Sequence, residues 1–386
     1  MSSLDNFALD KLSALEAANR RRTLVDTARE DGIWVSRAGR RLLSFSCNDY
    51  LNLTHHPKVK AAAIGAIETY GAGAGASRLI TGNHPLLSEL EERLAKLKGA
   101  EAACVFGSGY LANTGIIPTL IGEGDLLLLD ELSHSCLWAG AQMSRGRVFT
   151  FRHNDLGHAR DLLAQHRAGH RHALVITDGV FSMDGDLAPL HELSALAGEH
   201  DAWLMSDDAH GLGVVGEGRG SAFVDGHKTR IDLQMGTLSK ALGSYGGYLC
   251  ASRAVIDLIK TRARTLVYST GLPPASVAAA IAALDVIEGD PVFAASAVEK
   301  ARSFTRALNL PLAQSPIVPL LLGEETTALE AQQVLEKSGF LVTAIRPPTV
   351  PAGTARLRFA FTAGHPDREI ARLAQVVRES VMPLRP

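Results

Sequence analysis

The chain has few cysteines, almost no net charge and no long apolar run, and each shortage removes a class of protein. Its four cysteines, Cys47, Cys104, Cys136 and Cys250, are scattered through 386 residues with no C-x-x-C spacing. That argues against a disulfide framework or a thiolate zinc site, and it fits isolated thiols in a reducing cytoplasm. A formal charge of −2 provides no basic field for nucleic acid or a membrane surface. No run reaches the ~18 apolar residues that a membrane-spanning helix requires. Asp5, Asp10, Lys11 and Glu16 interrupt the first 22 residues, so no secretory signal is expected there.

What remains is a globular composition, 46% hydrophobic, in a chain longer than the ~250–300 residues at which single cores usually divide. Three stretches are expected. Residues 1–46 read as a helix bearing Phe7, Leu9, Leu12 and Leu15, then a hairpin turning at Ala38-Gly39. In residues 47–285, short apolar runs at 102–106, 125–129, 148–151, 173–177, 202–205, 233–236 and 247–251 alternate with helical patterns. Strands of that kind predict an α/β domain with a large, mostly parallel sheet covered on both faces. Residues 286–386 read as a small α/β domain with an antiparallel sheet, its strands near 317–322, 341–345 and 356–361.

Two strand ends carry the chemistry. The run Ala202-Trp203-Leu204-Met205 leads into Ser206-Asp207-Asp208-Ala209-His210-Gly211, and the next into Gly236-Thr237-Leu238-Ser239-Lys240. Ligands of parallel sheets bind beyond the carboxyl ends of the strands. An amine and a carboxylate placed there suit pyridoxal 5′-phosphate (PLP): the lysine joins the aldehyde, and the acid keeps the pyridine nitrogen protonated. At ~3 Å and an effective dielectric of ~20, that ion pair is worth roughly 5 kcal/mol before desolvation.

Phe106-Gly107-Ser108-Gly109-Tyr110 follows a strand and opens a helix, so its backbone amides form a candidate phosphate cradle. Thr237 and Ser239 would add hydroxyl donors. His134 follows another strand end; a lone histidine there is usually a cap, and the alternative is a ring stacked on a planar cofactor. Asp178 and Ser182 follow yet another. Gly71-Ala72-Gly73-Ala74-Gly75-Ala76 imitates a dinucleotide fingerprint but follows a helical pattern, where that motif does not belong. His166, His170 and His172 lack a nearby acid or thiol and read as a solvated helix end. Arg20-Arg21-Arg22 reads as a charged helix face that an acidic substrate could recruit.

The set Ser46-Cys47-Asn48-Asp49-Tyr50-Leu51, Gly75-Ala76-Ser77-Arg78-Leu79, Asp178 to Asp186, Asp207-Asp208-Ala209-His210-Gly211, Thr237-Leu238-Ser239-Lys240 and Tyr268-Ser269-Thr270 resembles the α-oxoamine synthases. These are fold-type I PLP enzymes that condense an amino acid with an acyl thioester and release CO2. The resemblance runs in order along essentially the whole chain. Segment 344–358, from Ala344-Ile345-Arg346-Pro347 to Arg358, is most similar to the branch of biotin synthesis that joins L-alanine to a pimeloyl thioester. By this resemblance Lys240 carries the cofactor, Asp207 faces the pyridine nitrogen, His210 the ring hydroxyl, and His134 stacks on the ring. Gly109, Tyr110, Ser182 and Thr237 would contact the cofactor, with Ser269 and Thr270 reaching the phosphate of a neighbouring subunit in a homodimer with shared sites. Arg358 and Asn48 would hold the amino-acid carboxylate, while Arg20 and Thr349 match substrate-contacting positions, as does His134. Asp178 stands where many members have glutamate, and Asn52 replaces a common glycine. A sister reaction of glycine with acetyl-CoA, and a nicotinamide-dependent oxidoreductase, are the competing expectations.

Overall fold

The computed structural model describes residues 1–18, 20–30 and 32–385. The expected N-terminal helix forms over Ser3–Ala17, closed by a capping box between Ser2 and Asp5, and it buries none of its residues. The hairpin follows as β1 (Thr27–Glu30), β2 (Trp34–Arg37) and β3 (Arg40–Ser44). Ala38 and Gly39 turn it with φ of 48° and 74°, the paired left-handed conformation of tight hairpin turns.

All seven apolar runs of the middle stretch become strands of one sheet: β4 (Ala102–Phe106), β5 (Leu126–Asp130), β6 (Arg147–Phe151), β7 (Ala173–Asp178), β8 (Trp203–Asp207), β9 (Leu233–Thr237) and β10 (Gly247–Ala251). Their spatial order is β4-β10-β9-β8-β7-β5-β6. Only β10 runs against its neighbours; the other pairs are parallel. Strands β4, β5, β7, β9 and β10 are buried at every position, as helices on both faces require. Edge strand β6 is the most solvated. The helix Pro85–Lys98 shows why the covering elements form. Leu87, Leu90, Leu94 and Leu97 recur at helical spacing on its buried face, each worth about 2 kcal/mol of burial, and Gly99 stops it at φ 58°.

The expected division at 285/286 falls inside the helix Pro274–Gly289, because Ile287 is still packed in the large core. The next helix, Pro291–Ala307, belongs to both units: Ala294, Ala297 and Val298 pack on the large core, Ala301 and Phe304 on the small one. Beyond it lie β11 (Ile317–Gly323), β12 (Phe340–Leu341), β13 (Thr343–Ile345) and β14 (Ala355–Ala360), then the helix Asp367–Val376. Strands β11, β14 and β13 make an antiparallel sheet. The single strand expected over 341–345 is two strands, since its halves bond to different sheets. Residues 340–341 pair in parallel with β3, and 343–345 pair with β14. The hairpin therefore packs with the C-terminal unit, where Leu43 and Phe45 join Phe304, Phe340, Phe359 and Phe361 in one buried cluster.

Candidate active site

Four adjacent parallel strands, β9, β8, β7 and β5, end at one edge of the sheet and release the loops that carry Lys240, His210, Ser182 and His134. Register sets Asp207 beside Asp178 on one side and Met235 on the other. Lys240, His210, His134, Ser182, Asn48 and Arg358 line a cleft of about 260 Å³. A neighbouring hollow of about 560 Å³ shares His134 and Ser182 and continues to Arg22, Trp138 and Thr349. Both are lined by residues of the large unit and of the small one.

Lys240 Nζ lies 2.8 Å from His210 Nε2, whose Nδ1 is 2.7 Å from the Tyr50 hydroxyl. Burial lowers the Lys240 amine to about 8; the Asp207 charge opposes that fall and Arg358 adds to it. Burial, then the Lys240 and Arg358 cations, holds His210 well below the ordinary histidine value. Burial raises the Tyr50 phenol, so this pair works as neutral hydrogen-bonding groups near pH 7.

Asp207 is 3% exposed and lies beneath the cleft rather than in its wall. One oxygen accepts from Asn113 Nδ2 at 2.8 Å, the other from the Ala209 amide at 3.0 Å. Asp178 is also buried, accepting the His134 amide at 2.9 Å. Burial and then the Asp207 charge raise its carboxyl well above the usual range. Desolvation lowers His134, Asp207 opposing and Lys240 reinforcing.

Arg358, 7% exposed, is clamped by acceptors. Its Nε donates to the Ser182 carbonyl at 2.5 Å, and its terminal nitrogens reach Asn48 Oδ1 at 3.3 Å and the Tyr50 hydroxyl at 3.4 Å. A fixed guanidinium in the wall of a cleft is suited to grip a carboxylate. Gly109 begins the helix Gly109–Leu120, whose first amides have no intrahelical acceptors. A Cβ on Gly109 would stand 3.3 Å from Met235 Cε and 3.6 Å from Thr237 Cβ, so this turn has room for little beyond hydrogen. A half-buried amine of lowered basicity, a buried carboxylate on the adjacent strand and a helix N-terminus beginning at Gly109 fit the aldehyde, ring nitrogen and phosphate of PLP.

The family model of class I and II aminotransferases matches residues 40–377. The chain belongs to that family. Among its members, the 8-amino-7-oxononanoate synthase of Beijerinckia indica is 65% identical over 377 residues, 98% of each chain. That of Methylocella silvestris is 69% identical over 347 residues, 90% of this chain and 99% of its own. A serine palmitoyltransferase from S. paucimobilis, solved with bound PLP and myriocin, superposes with a TM-score of 0.92 at 28% identity, covering 100% of this chain and 99% of its own. The 8-amino-7-oxononanoate synthase of Francisella tularensis gives 0.75 at 25% identity over 89% and 98% of the two chains. Within the aminotransferase family this places the chain among the α-oxoamine synthases, with the α/β fold of the fold-type I PLP enzymes. The glycines of residues 71–76 follow the helix Pro57–Tyr70, the wrong context for a dinucleotide fingerprint.

The expected residues are distributed unevenly. Lys240, His210, His134, Ser182, Asn48 and Arg358 converge on the cleft, and Thr349 joins them in the adjoining hollow. Thr237 is buried beside it, its hydroxyl 2.8 Å from Ser239 Oγ and donating to the Gly246 carbonyl at 2.7 Å. Tyr110 is 55% exposed. Ser269 and Thr270 line a separate crevice with Arg78, Phe106 and Gly107. Arg20 is not brought to the cleft: its guanidinium lies 4.0 Å from Glu325, and Arg22 instead donates to Thr349 Oγ1 at 2.9 Å. Tyr50, Asn113 and Cys136 were not singled out by sequence. Asn113 alone carried a signal, one helical turn beyond Gly109 and so on the same helix face.

Proposed function

We propose that this chain catalyses the PLP-dependent condensation of L-alanine with a pimeloyl thioester, releasing CO2 and the thiol and forming 8-amino-7-oxononanoate for biotin synthesis. The observation that carries it is the pairing of Lys240 with His210 in a cleft that the clamped Arg358 also lines, in a chain with near-full-length relatives of that name. A carbon–carbon bond forms between the alanine Cα and the thioester carbonyl, the carbon–sulfur bond breaks, and the Cα–carboxylate bond breaks as CO2 leaves.

PLP supplies an aldehyde that takes up an amino group and a protonated ring that accepts electron density from an adjacent carbanion. Asp207, fixed by Asn113 and the Ala209 amide, would hold the proton of the ring nitrogen. Near neutral pH a fraction of Lys240 is free to take a proton at Nζ, which equips it to remove and later return the alanine Cα proton. Arg358 and Asn48 would bind the alanine carboxylate and orient the bond to be broken. His134, Ser182 and His210 would border the reacting atoms, and Gly109, Tyr110 and Thr237 would meet the phosphate end. The larger hollow would take the acyl chain, with Arg22 and Thr349 at its far side.

The same reading makes the active form a cytoplasmic homodimer in which Ser269 and Thr270 complete the partner's site. It is supported by the exposed apolar residues beside them, Leu79, Ile80 and Tyr268, respectively 60%, 76% and 79% accessible. No helix among the described residues is long and apolar enough to cross a membrane, and all four cysteines are free.

The test offers the PLP-loaded protein alanine with pimeloyl-CoA, or glycine with acetyl-CoA, and identifies products by mass spectrometry. Product from the first pair, lost in Lys240→Ala, is expected. Turnover of the second pair alone, or an active Lys240→Ala variant, refutes the proposal.

A further inference from the structure

Beneath the cleft, a chain of hydrogen bonds runs from Asp207 to His134, and a backbone amide fixes its direction at the imidazole. Asp207 Oδ2 lies 2.8 Å from Asn113 Nδ2. A carboxylate oxygen accepts, so the atom facing it is the amide nitrogen of Asn113, which carries two protons. The second is directed at Cys136 Sγ, 3.1 Å away. Cys136 Sγ is in turn 2.7 Å from His134 Nδ1. The sulfur accepts from Asn113 and still has its own proton to offer the imidazole. The direction is settled by a second contact: the Cys136 backbone amide points at His134 Nδ1 from 3.2 Å and can only donate. That contact caps the helix Ser135–Met143, so it belongs to the framework of the fold. With its lone pair turned to these donors, Nδ1 carries no proton, and the ring proton of His134 has one place left, Nε2.

We propose that Cys136 is a positioning residue that locks His134 as the neutral Nε2–H tautomer, so that the imidazole presents a donor to an acceptor oxygen of the substrate. This rests on the condensation described above for the identity of that oxygen, a carboxylate or thioester carbonyl; the tautomer itself does not. Protonation of His134 at Nδ1 would set that proton against the Cys136 backbone N–H, which can only donate, and would turn the thiol from donor to acceptor.

The surroundings act in the same sense. Burial and then the Asp207 charge push the Cys136 thiol up to about 12, so it keeps the proton it donates. The other charged or titratable groups about His134 are Asp207, Lys240 and Asp178 below, His210 and Arg358 across the cleft, and Glu131, Asp184 and Arg22 along the hollow. Asn113 and Cys136 are buried, so water does not substitute for either donor.

The test is nitrogen NMR of protein labelled with 15N-histidine, with and without PLP, His134 being assigned by its absence from a His134→Asn sample. A lone-pair nitrogen at Nδ1, a protonated Nε2, and no ionisation between about pH 6 and 8 are expected, bounding the ordinary midpoint near 6.5. A proton on Nδ1, or a ring that titrates near 6.5, overturns the proposal. Cys136→Ser should keep the pattern. Cys136→Val should shift the ionisation of His134 upward and lower kcat/KM about threefold to tenfold, the range of one lost hydrogen bond. A valine variant indistinguishable from the parent removes Cys136 from the role. Detection of the tautomer in a protein without condensing activity would defeat the functional reading and leave this one standing.

Discussion

The amine of Lys240 offers a quantitative prediction that requires no catalytic turnover. At pH 7 an amine with its midpoint near 8 is unprotonated in about one molecule in ten, whereas one at the ordinary 10.5 is free in about one in three thousand. Lys240 should thus couple to the PLP aldehyde about 300-fold faster near neutrality than an exposed lysine of equal intrinsic reactivity. The assay is reconstitution of cofactor-free protein, following the visible band at a series of pH values and confirming attachment by borohydride trapping and peptide mass. The coupling rate should rise tenfold per pH unit below 7 and level off above about 8. Burial is the first cause of the lowered value, so hollowing out the packing behind His210 by Tyr50→Ala should move the break upward. A rate still climbing tenfold per unit at pH 9 would refute the reasoning, because the amine would then be an ordinary surface lysine.

His153 sits between two carboxylates, 3.1 Å from Asp130 and 2.8 Å from Asp186, and the hydrogen bonds and charges of both outweigh burial to raise it to about 10. A rise from 6.5 to about 10 corresponds to at most about 5 kcal/mol. With 23% of the side chain open to solvent, screening reduces this to about 2 kcal/mol. Because the folded value is raised, the contribution is complete below about pH 6.5 and disappears as pH rises through 10. In thermal unfolding, His153→Gln should therefore cost stability at pH 6 and almost none above pH 10. Lys98, fully buried 2.7 Å from Asp208 Oδ2, should be irreplaceable: Lys98→Met strands the acid and should cost about 3–5 kcal/mol in denaturant titrations. Gly185 holds φ 75° with its Cβ position 2.2 Å from the Ile317 carbonyl, so Gly185→Ala should destabilise the loop bearing Ser182 and lower the melting temperature, whereas Gly169→Ala, in open space, should not.

The strands of the large sheet were legible because a strand buried on both faces must be apolar throughout, a signature that needs no knowledge of its neighbours. Lys240, Asp207 and His210 were legible for a related reason: polar residues directly after such runs must lie at the sheet's carboxyl edge. What escaped depends on contacts between distant segments. Arg20 and Arg22 are indistinguishable as sequence, and only the path of the backbone brings Arg22 to Thr349. Tyr50 reads as a core aromatic until His210, 160 residues away, comes within 2.7 Å of its hydroxyl. The split of 340–345 between two sheets arises because Leu341 meets the hairpin and Thr343 meets β14, and neither partner is local.

The parallel pairing of β3 with β12 ties Leu43 to Phe340, positions separated by 297 residues. On a ribosome adding about 5–20 residues per second, the hairpin waits roughly 15–60 seconds for the strand that completes it. Nascent chains must therefore keep Leu43 and Phe45 shielded or solvated while the seven-stranded sheet assembles ahead of them. A transcript cut short just before codon 340 would yield a polypeptide holding every strand of that sheet, yet left with a greasy, unsealed ribbon at its start.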